Sequence, residues 1–327
     1  MASLFGAKKS KEKTVLIVDI ENGSVGCALA LLSPGQQPKL FAEVRTALPI
    51  FHTFTSTLLT HEIEKALGEA LSHTSLVAAR MRGHTHLSHM GQVSEALVFF
   101  APPWAALAQG KRGLEWSFDP SLSSNVKKAI EGFFGSMPIS LHAFGAAATE
   151  TTNTLFEQQG DFLLCSMTGE MSELMLVQQG TLAGRATVPL GTNTILRTLQ
   201  SHSNFSAEEA RSALRLANQD HMPEGFSGEP LQAAAAHVGA HMSDITKDIL
   251  QNTLAQGILI IAPQSVAEWL ARTLARELAL GDHFTEGASV RALHPHHLLP
   301  HVVAHAQNPD TALMLEGLFV AGRDGGV

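Results

Sequence analysis

The sequence predicts a two-domain α/β fold in which one strand-and-turn plan is used twice, and three observations carry that reading. In Thr14 to Leu32, a β-branched run at Val15 to Val18 ends at Asp19, Glu21-Asn22-Gly23-Ser24 supply turn chemistry, and Val25 to Leu32 resume as a second buried run. That is a hairpin with an acid at its mouth. The plan returns at Asp161 to Val177, with an apolar run at Phe162 to Cys165, a turn at Ser166 to Glu170 and a second run ending at Val177. The third observation is size. A chain of 327 residues, 45% hydrophobic and 16% charged, can bury two substantial cores and does not have a disordered composition.

Met1 to Lys13 carry four lysines against one glutamate and read as a flexible polar terminus, the competing reading being a weak touch on an anionic membrane surface. After the first hairpin, Ser33 to Pro38 form a turn and Lys39 to Leu48 a strand. Thr60 to Leu71 has helical spacing, with Ile63, Leu67 and Leu71 on one face. Gln92 to Phe100 is a strand closed by Ala101-Pro102-Pro103-Trp104. A helix at Asn125 to Phe134, a short strand at Pro138 to Leu141 and a small-residue helix at Phe144 to Phe156 complete the first half. The second hairpin then leads through Gln178-Gln179-Gly180 into a strand at Thr181 to Val188 and a helix at Asn193 to Leu199. Ser206 with Glu209 makes a capping box for a helix through Leu216, and Leu231 to Leu254 is a long helix. A strand at Gly257 to Ile261 precedes a helix opening at Ser265, with Glu268 completing a second capping box. Beyond Gly281 the pattern weakens, with one last apolar segment at Leu313 to Val320. The expected organisation is a terminus at 1–13, a first domain at 14–158 with an inserted α/β block at about 46–125, and a second domain at 159–327.

Composition excludes several function classes. A net charge of −8 without basic blocks argues against nucleic acid as a partner. Cys27 and Cys165 lie in apolar runs, where buried thiols of a reducing, cytoplasmic protein are expected. No apolar run reaches the roughly 18 residues that a membrane span needs, and no apolar signal core follows the first lysines. A dinucleotide enzyme would need a glycine fingerprint after a strand, and none is present.

The first hairpin has the chemistry to cradle a phosphate. Gly23 allows close backbone approach, and Asn22, Gly23 and the Ser24 hydroxyl can converge on an anionic oxygen. Asp19 stands where a hydrated divalent cation would bridge to it. The same residues also serve an ordinary polar turn.

DIENGSVG at 19–26, TGEMSEL at 168–174, VPLG at 188–191 and APPW at 101–104 together resemble the actin-like ATPase superfamily, in particular the cell-division protein FtsA and the type IV pilus assembly protein PilM. The resemblance spans most of residues 14 to 275. It implies two RNase H-like domains, and ATP and Mg as candidate ligands that the fold itself does not require. Asp19, Asn22, Gly23, Ser24, Thr168, Gly169 and Glu170 would contact the nucleotide, with Asp19 orienting the Mg. It also implies a protein partner in a membrane-associated complex, self-association as a candidate property, and a cytoplasmic location at the inner face of the membrane. In the pilus protein a partner peptide lies beside the inserted block, which places Phe99, Phe100 and Trp104 near a recognition surface. The competing reading is that Trp104 fills the local core.

The departures from that family decide the expected activity. Ser166 stands where active members carry the aspartate of the second hairpin. His142 is the one candidate base at the start of the connecting helix. Ala262-Pro263-Gln264 replace the glycines of the adenosine turn. The expected function is therefore a non-catalytic or weakly nucleotide-binding scaffold of a pilus or division assembly, the alternative being an active ATPase or kinase that uses Asp19 as its sole metal-orienting acid. Two histidine clusters, His84, His86 and His89, and His294, His296, His297, His301 and His305, lack a cysteine or an acid at ligand spacing and read as solvated loop residues, with His301 and His305 on one helix face.

Overall fold

The computed structural model describes residues 12–51, 55–110, 113–156, 160–221, 228–251, 253–278 and 283–323. Residues 1–11 of the expected terminus lie outside them. Lys13 already opens the first strand and bonds to Glu95.

The first half runs β1 (Lys13–Ile20), β2 (Ser24–Leu32), β3 (Lys39–Ala47), α1 (Ser56–Arg82), β4 (Val93–Phe100), β5 (Ala105–Gly110), β6 (Gly113–Phe118), α2 (Pro120–Phe134), β7 (Ile139–Ala143) and α3 (Phe144–Phe156). The second half runs β8 (Phe162–Met167), β9 (Ser172–Gln178), β10 (Thr181–Val188), α4 (Thr192–Ser203), α5 (Ala207–Asn218), α6 (Glu229–Leu250), β11 (Ala255–Ile261), α7 (Ala267–Glu277), β12 (Phe284–Ala292), α8 (Pro295–Leu298), β13 (Val303–Ala304) and α9 (Thr311–Arg323). Both predicted hairpins form, and each has a strand at the middle of its sheet. The first sheet is ordered β13-β3-β2-β1-β4-β7 and the second β10-β9-β8-β11-β12. From the third strand of each hairpin onward the two orders coincide, antiparallel through the hairpin and parallel beyond it.

Strand alternation sorts the cores into layers. Leu16, Val18 and Ile20 face α1 and α2, while Val15 and Ile17 face a central layer. Leu164, Met175 and Val177 of the second sheet enter that same central layer, which holds α3 and α9. The other face of the second sheet packs on α4 to α7.

Several expectations change. Of the segment 46–125, α1 and β4 belong to the first sheet and its covering layer, since β4 pairs in parallel with β1. What stands apart is the β5–β6 hairpin. Arg185 of β10 ties it to the second half, donating to the Ala105 carbonyl at 3.1 Å and lying 4.9 Å over the Trp116 ring. Likewise residues 303–323 do not stay with the second sheet. β13 forms the far edge of the first sheet, beside β3, and α9 packs in the central layer.

Phe99 and Phe100 are fully buried and Trp104 is 6% exposed, so none is an exposed anchor. The chain turns at Pro102-Pro103 straight into β5, which folds Trp104 into the core with Phe100 and Ala105. The Ser206 and Glu209 capping box is present. The one expected at Ser265 is not: α7 opens at Ala267 without a side-chain cap, and Glu268 bonds to His294 instead. His301 and His305 share no helix, because α8 ends at Leu298 and β13 lies between them. Among the described residues no helix is long and apolar enough to cross a membrane, and no group of three or more His, Cys, Asp or Glu is placed to hold a metal ion.

Candidate functional site

The tips of the two hairpins meet. A Cβ built on Gly23 would lie 2.4 Å from the Gly169 Cα, and one on Gly169 would lie 2.4 Å from the Gly23 Cα, so the two backbones touch where side chains cannot fit. Asn22, buried at the first turn, joins them. Its Oδ1 accepts from the Glu170 N–H at 2.6 Å and the Thr168 hydroxyl at 3.0 Å, while its Nδ2 donates to the Pro102 carbonyl at 2.7 Å.

The second turn is held from behind by α4. This helix opens at Gly191 without a side-chain cap, and its first N–H groups need partners. Thr192 and Asn193 donate them to the carbonyls of Thr168 and Gly169 at 2.9 and 2.8 Å. Such a terminus can hold an anion, but here the hairpin itself takes two of the donors. The Glu170 carboxylate faces α4, accepting from Asn193 at 2.8 Å and from both Arg197 nitrogens at 3.1 and 2.6 Å. Asn22, Gly23, Thr168, Gly169 and Glu170, expected from the sequence as nucleotide contacts, are thus brought together at the two turns. They bind each other.

Asp19 and Ser24 belong to a second cluster, centred on Arg45 of β3. Pairing across the sheet places Asp19 opposite Gly26 and Gly26 opposite Arg45. Without a side chain at position 26, the guanidinium lies across β2 and reaches the fully buried Asp19, with Nη2 at 2.7 Å from Oδ2. It also forks onto Asp310 through Nε and Nη2, donates to Ser24 Oγ at 2.9 Å and lies 3.4 Å from Glu21. Asp310 caps α9 at the same time, accepting from the N–H groups of Ala312 and Leu313. Further along that helix, Glu316 is fully buried, and its carboxyl hydrogen-bonds the Asp19 side chain.

Burial sets the charge states here. Loss of water raises the Asp19 carboxyl despite the adjacent Arg45, and raises Glu316 well above the usual carboxylate range, with Asp19 adding to the rise. Asp310 is desolvated too, yet Arg45 and the helix N–H groups outweigh that and hold it low. Desolvation lifts Glu21 to about 7 against the pull of Arg45. Since this folded value lies above that of an unfolded glutamate, about 4.3, the stabilisation from the bound proton is complete below the unfolded value and is lost as pH rises through 7. The melting temperature is therefore expected to fall as pH rises from about 4.3 to about 7 and to level off above that, and Glu21→Gln to flatten that slope. An unchanged slope in the variant would assign the pH dependence to other groups.

His142 lies two strands from Asp19, with β4 between them. Its ring packs against Phe99 and Phe319 and contacts Arg323, and burial together with that cation lowers it to about 4. It is a neutral packing residue away from the hairpin turns. Ser166 does face the cleft, lining a cavity of about 270 Å³ with Glu21, Arg45 and Asp310. Sequence reasoning missed Arg45, Asp310, Glu316 and Arg197. The available signal was Arg45 itself, a single cation in a strand whose neighbour carries glycine opposite the acid.

Mg and a phosphate do not fit this arrangement. The position beside Asp19 holds a guanidinium, and the hairpin turns leave no gap between Gly23 and Gly169.

The sequence matches no protein-family model and no curated protein. Among solved structures it is similar to that of a PilM–PilN type IV pilus biogenesis complex, at 11% identity over 95% of this chain and 98% of that one, with a TM-score of 0.60. It is also similar to the ethanolamine utilization protein EutJ from Carboxydothermus hydrogenoformans, at 12% identity over 96% and 91% of the two chains, with a TM-score of 0.56. The fold is actin-like.

Proposed function

We propose that this chain is a non-hydrolysing actin-like scaffold that holds a protein partner of a membrane-associated assembly of the type IV pilus kind, at the inner face of the membrane. One observation carries the reading: the Asn22 amide and the Gly23–Gly169 contact fill the place where a phosphate would separate the two turns. Phosphoryl transfer depends on positioned metal and charge, and losing one electrostatic group of that kind costs on the order of a hundred-fold in rate. Here Ser166 lacks the charge and Asp19 is spent on Arg45. The partner-holding role draws on the likeness to a structure described as a complex of PilM with PilN. It also fits a net charge of −8 without basic blocks.

A second reading, an active ATPase or kinase, is favoured by one feature. A cavity of about 450 Å³ adjoins the closed turns, lined by Gly23, Leu196, Arg211, Arg215 and Val266 among others. A thermal titration with ATP and magnesium separates the two. We expect the melting temperature to stay where it is and ATP turnover to remain at background. Turnover at an ordinary enzymatic rate, abolished in Asp19→Ala, would overturn the scaffold reading.

A further inference from the structure

We propose that the end of the first sheet opposite the hairpin turns is a basic pole that seats the chain on an anionic lipid surface. The inference rests on the reading above, which puts the protein at the inner face of a membrane, and it names the surface that faces the lipid.

The topology gathers this pole. β1, β4 and β7 run parallel, so all three begin at this end, and the turn between β2 and β3 lies beside them. α1 and α2 finish here too, because each leads toward a strand or strand pair of this half and the next sheet strands after them, β4 and β7, start here. Glu12 marks the junction. Its carboxylate accepts from the Ser33 hydroxyl of the β2–β3 turn and lies 3.1 Å from His89 Nε2, in the segment between α1 and β4. The chain enters β1 at this end.

Charge is spread unevenly over the sequence. The net charge is −8, yet no Asp or Glu occurs from Ala70 to Ser94, a stretch that holds Arg80, Arg82, His84, His86 and His89. Met1 to Lys11 likewise hold no acid and carry Lys8, Lys9 and Lys11. Two arginines in the last turn of α1 are an ordinary complement to a helix dipole. The acid-free stretch extends well past that turn on both sides, in a chain with more acids than bases, and the helix end does not account for it. Glu12 and Glu95, which flank the pole, are engaged, the first with Ser33 and His89 and the second with Lys13. An acidic molecule with one basic end is oriented by a negative surface, which draws the pole in and repels the remainder.

Apolar groups distinguish lipid from other polyanions. Leu76, 56% exposed, stands four positions before Arg80 on α1, and Leu87, 40% exposed, lies between His86 and His89. Leu4 and Phe5 precede the terminal lysines. Basic side chains beside uncovered apolar ones suit the boundary between headgroups and acyl chains. One patch of this kind gives only reversible attachment, so it acts together with the membrane-associated partner.

The test is sedimentation of the full chain with vesicles, without nucleotide. Binding is expected to vesicles of phosphatidylglycerol mixed with phosphatidylcholine, to weaken steeply with added salt, and to be absent with phosphatidylcholine alone. Arg80→Glu should lower the partition coefficient by on the order of ten-fold. Lys9→Glu/Lys11→Glu, ahead of β1, should lower it further and keeps the test open if Arg80→Glu folds poorly. Lys247→Glu, on the exposed side of α6, makes the same change in net charge as Arg80→Glu and should leave binding unchanged. The proposal is overturned if the wild type stays in solution with anionic vesicles at low salt, if neutral vesicles bind equally, or if Lys247→Glu weakens binding as much as Arg80→Glu. It is also overturned if duplex DNA displaces the protein from the vesicles, which would make the pole a nucleic-acid surface. Vesicle binding reports on the pole and ATP turnover on the scaffold reading, so either can fail without the other.

Discussion

Arg45→Met should destabilise the protein by about 3–5 kcal/mol, the typical cost of leaving buried charges without their partner. Asp19 is fully buried, and Asp310 is held ionised chiefly by this guanidinium and the α9 N–H groups. Methionine fills similar space but offers neither charge nor donors. Chemical denaturation at neutral pH measures the loss. The variant should also regain stability relative to the wild type as pH is lowered, because protonation removes the repulsion among Asp19, Glu21, Asp310 and Glu316. A loss below about 1 kcal/mol would place the cluster among the weakly contributing surface pairs and contradict the burial argument.

Gly23→Ala should part the two hairpins. The added carbon would stand 2.4 Å from the Gly169 Cα, and because that atom is backbone, no side-chain rotation relieves the contact. Relief requires the turns to separate, which breaks the Asn22 bonds to Thr168 and Glu170 and leaves the buried Asn22 Oδ1 unpaired. Overpacking of about 1–3 kcal/mol and an unsatisfied buried acceptor of about 1–3 kcal/mol both contribute. Gly169→Ala should behave the same way, since its own Cβ meets the Gly23 Cα at 2.4 Å. Hydrogen exchange of the Glu170 N–H gives the local readout. If that proton stays as protected in Gly23→Ala as in the wild type, the turns were not held by this contact.

Much of the fold was legible because its signals are local. Turn residues at Glu21 to Ser24 and at Ser166 to Glu170, each between apolar runs, announce hairpins whatever surrounds them, and their repetition announces the duplication. The strands of both hairpins lie where the pattern placed them. Long-range pairing was not legible. Arg45 meets Asp310 across 265 positions, and no periodicity in either segment points to the other. Asp19 was recognised as important on its own, but its partner decides its role. An acid beside a metal and an acid beside an arginine look alike in one strand. Beyond Gly281 the same limit applies. β13 is two residues long and exists through its pairing with β3, so the weak pattern there concealed an edge strand of the first sheet. Trp104 admits two sequence readings, an anchor exposed by the two prolines and a residue of the local core, and the structure has the second: the chain doubles back into β5 and the ring is buried.

The return of α9 and β13 to the first sheet has a consequence for how the protein is made. Translation emits β1 to β7 first, and domains generally fold in that order as they leave the ribosome. Yet the apolar face formed by Val15, Ile17, Ala28 and Ala30 packs in the layer completed by Leu313, Met314 and Leu318. Those residues emerge roughly 170 positions after Ala143, a delay on the order of ten seconds or more at ~5–20 residues per second. Throughout that interval the earliest-made half of the molecule lacks the helix that covers this apolar face.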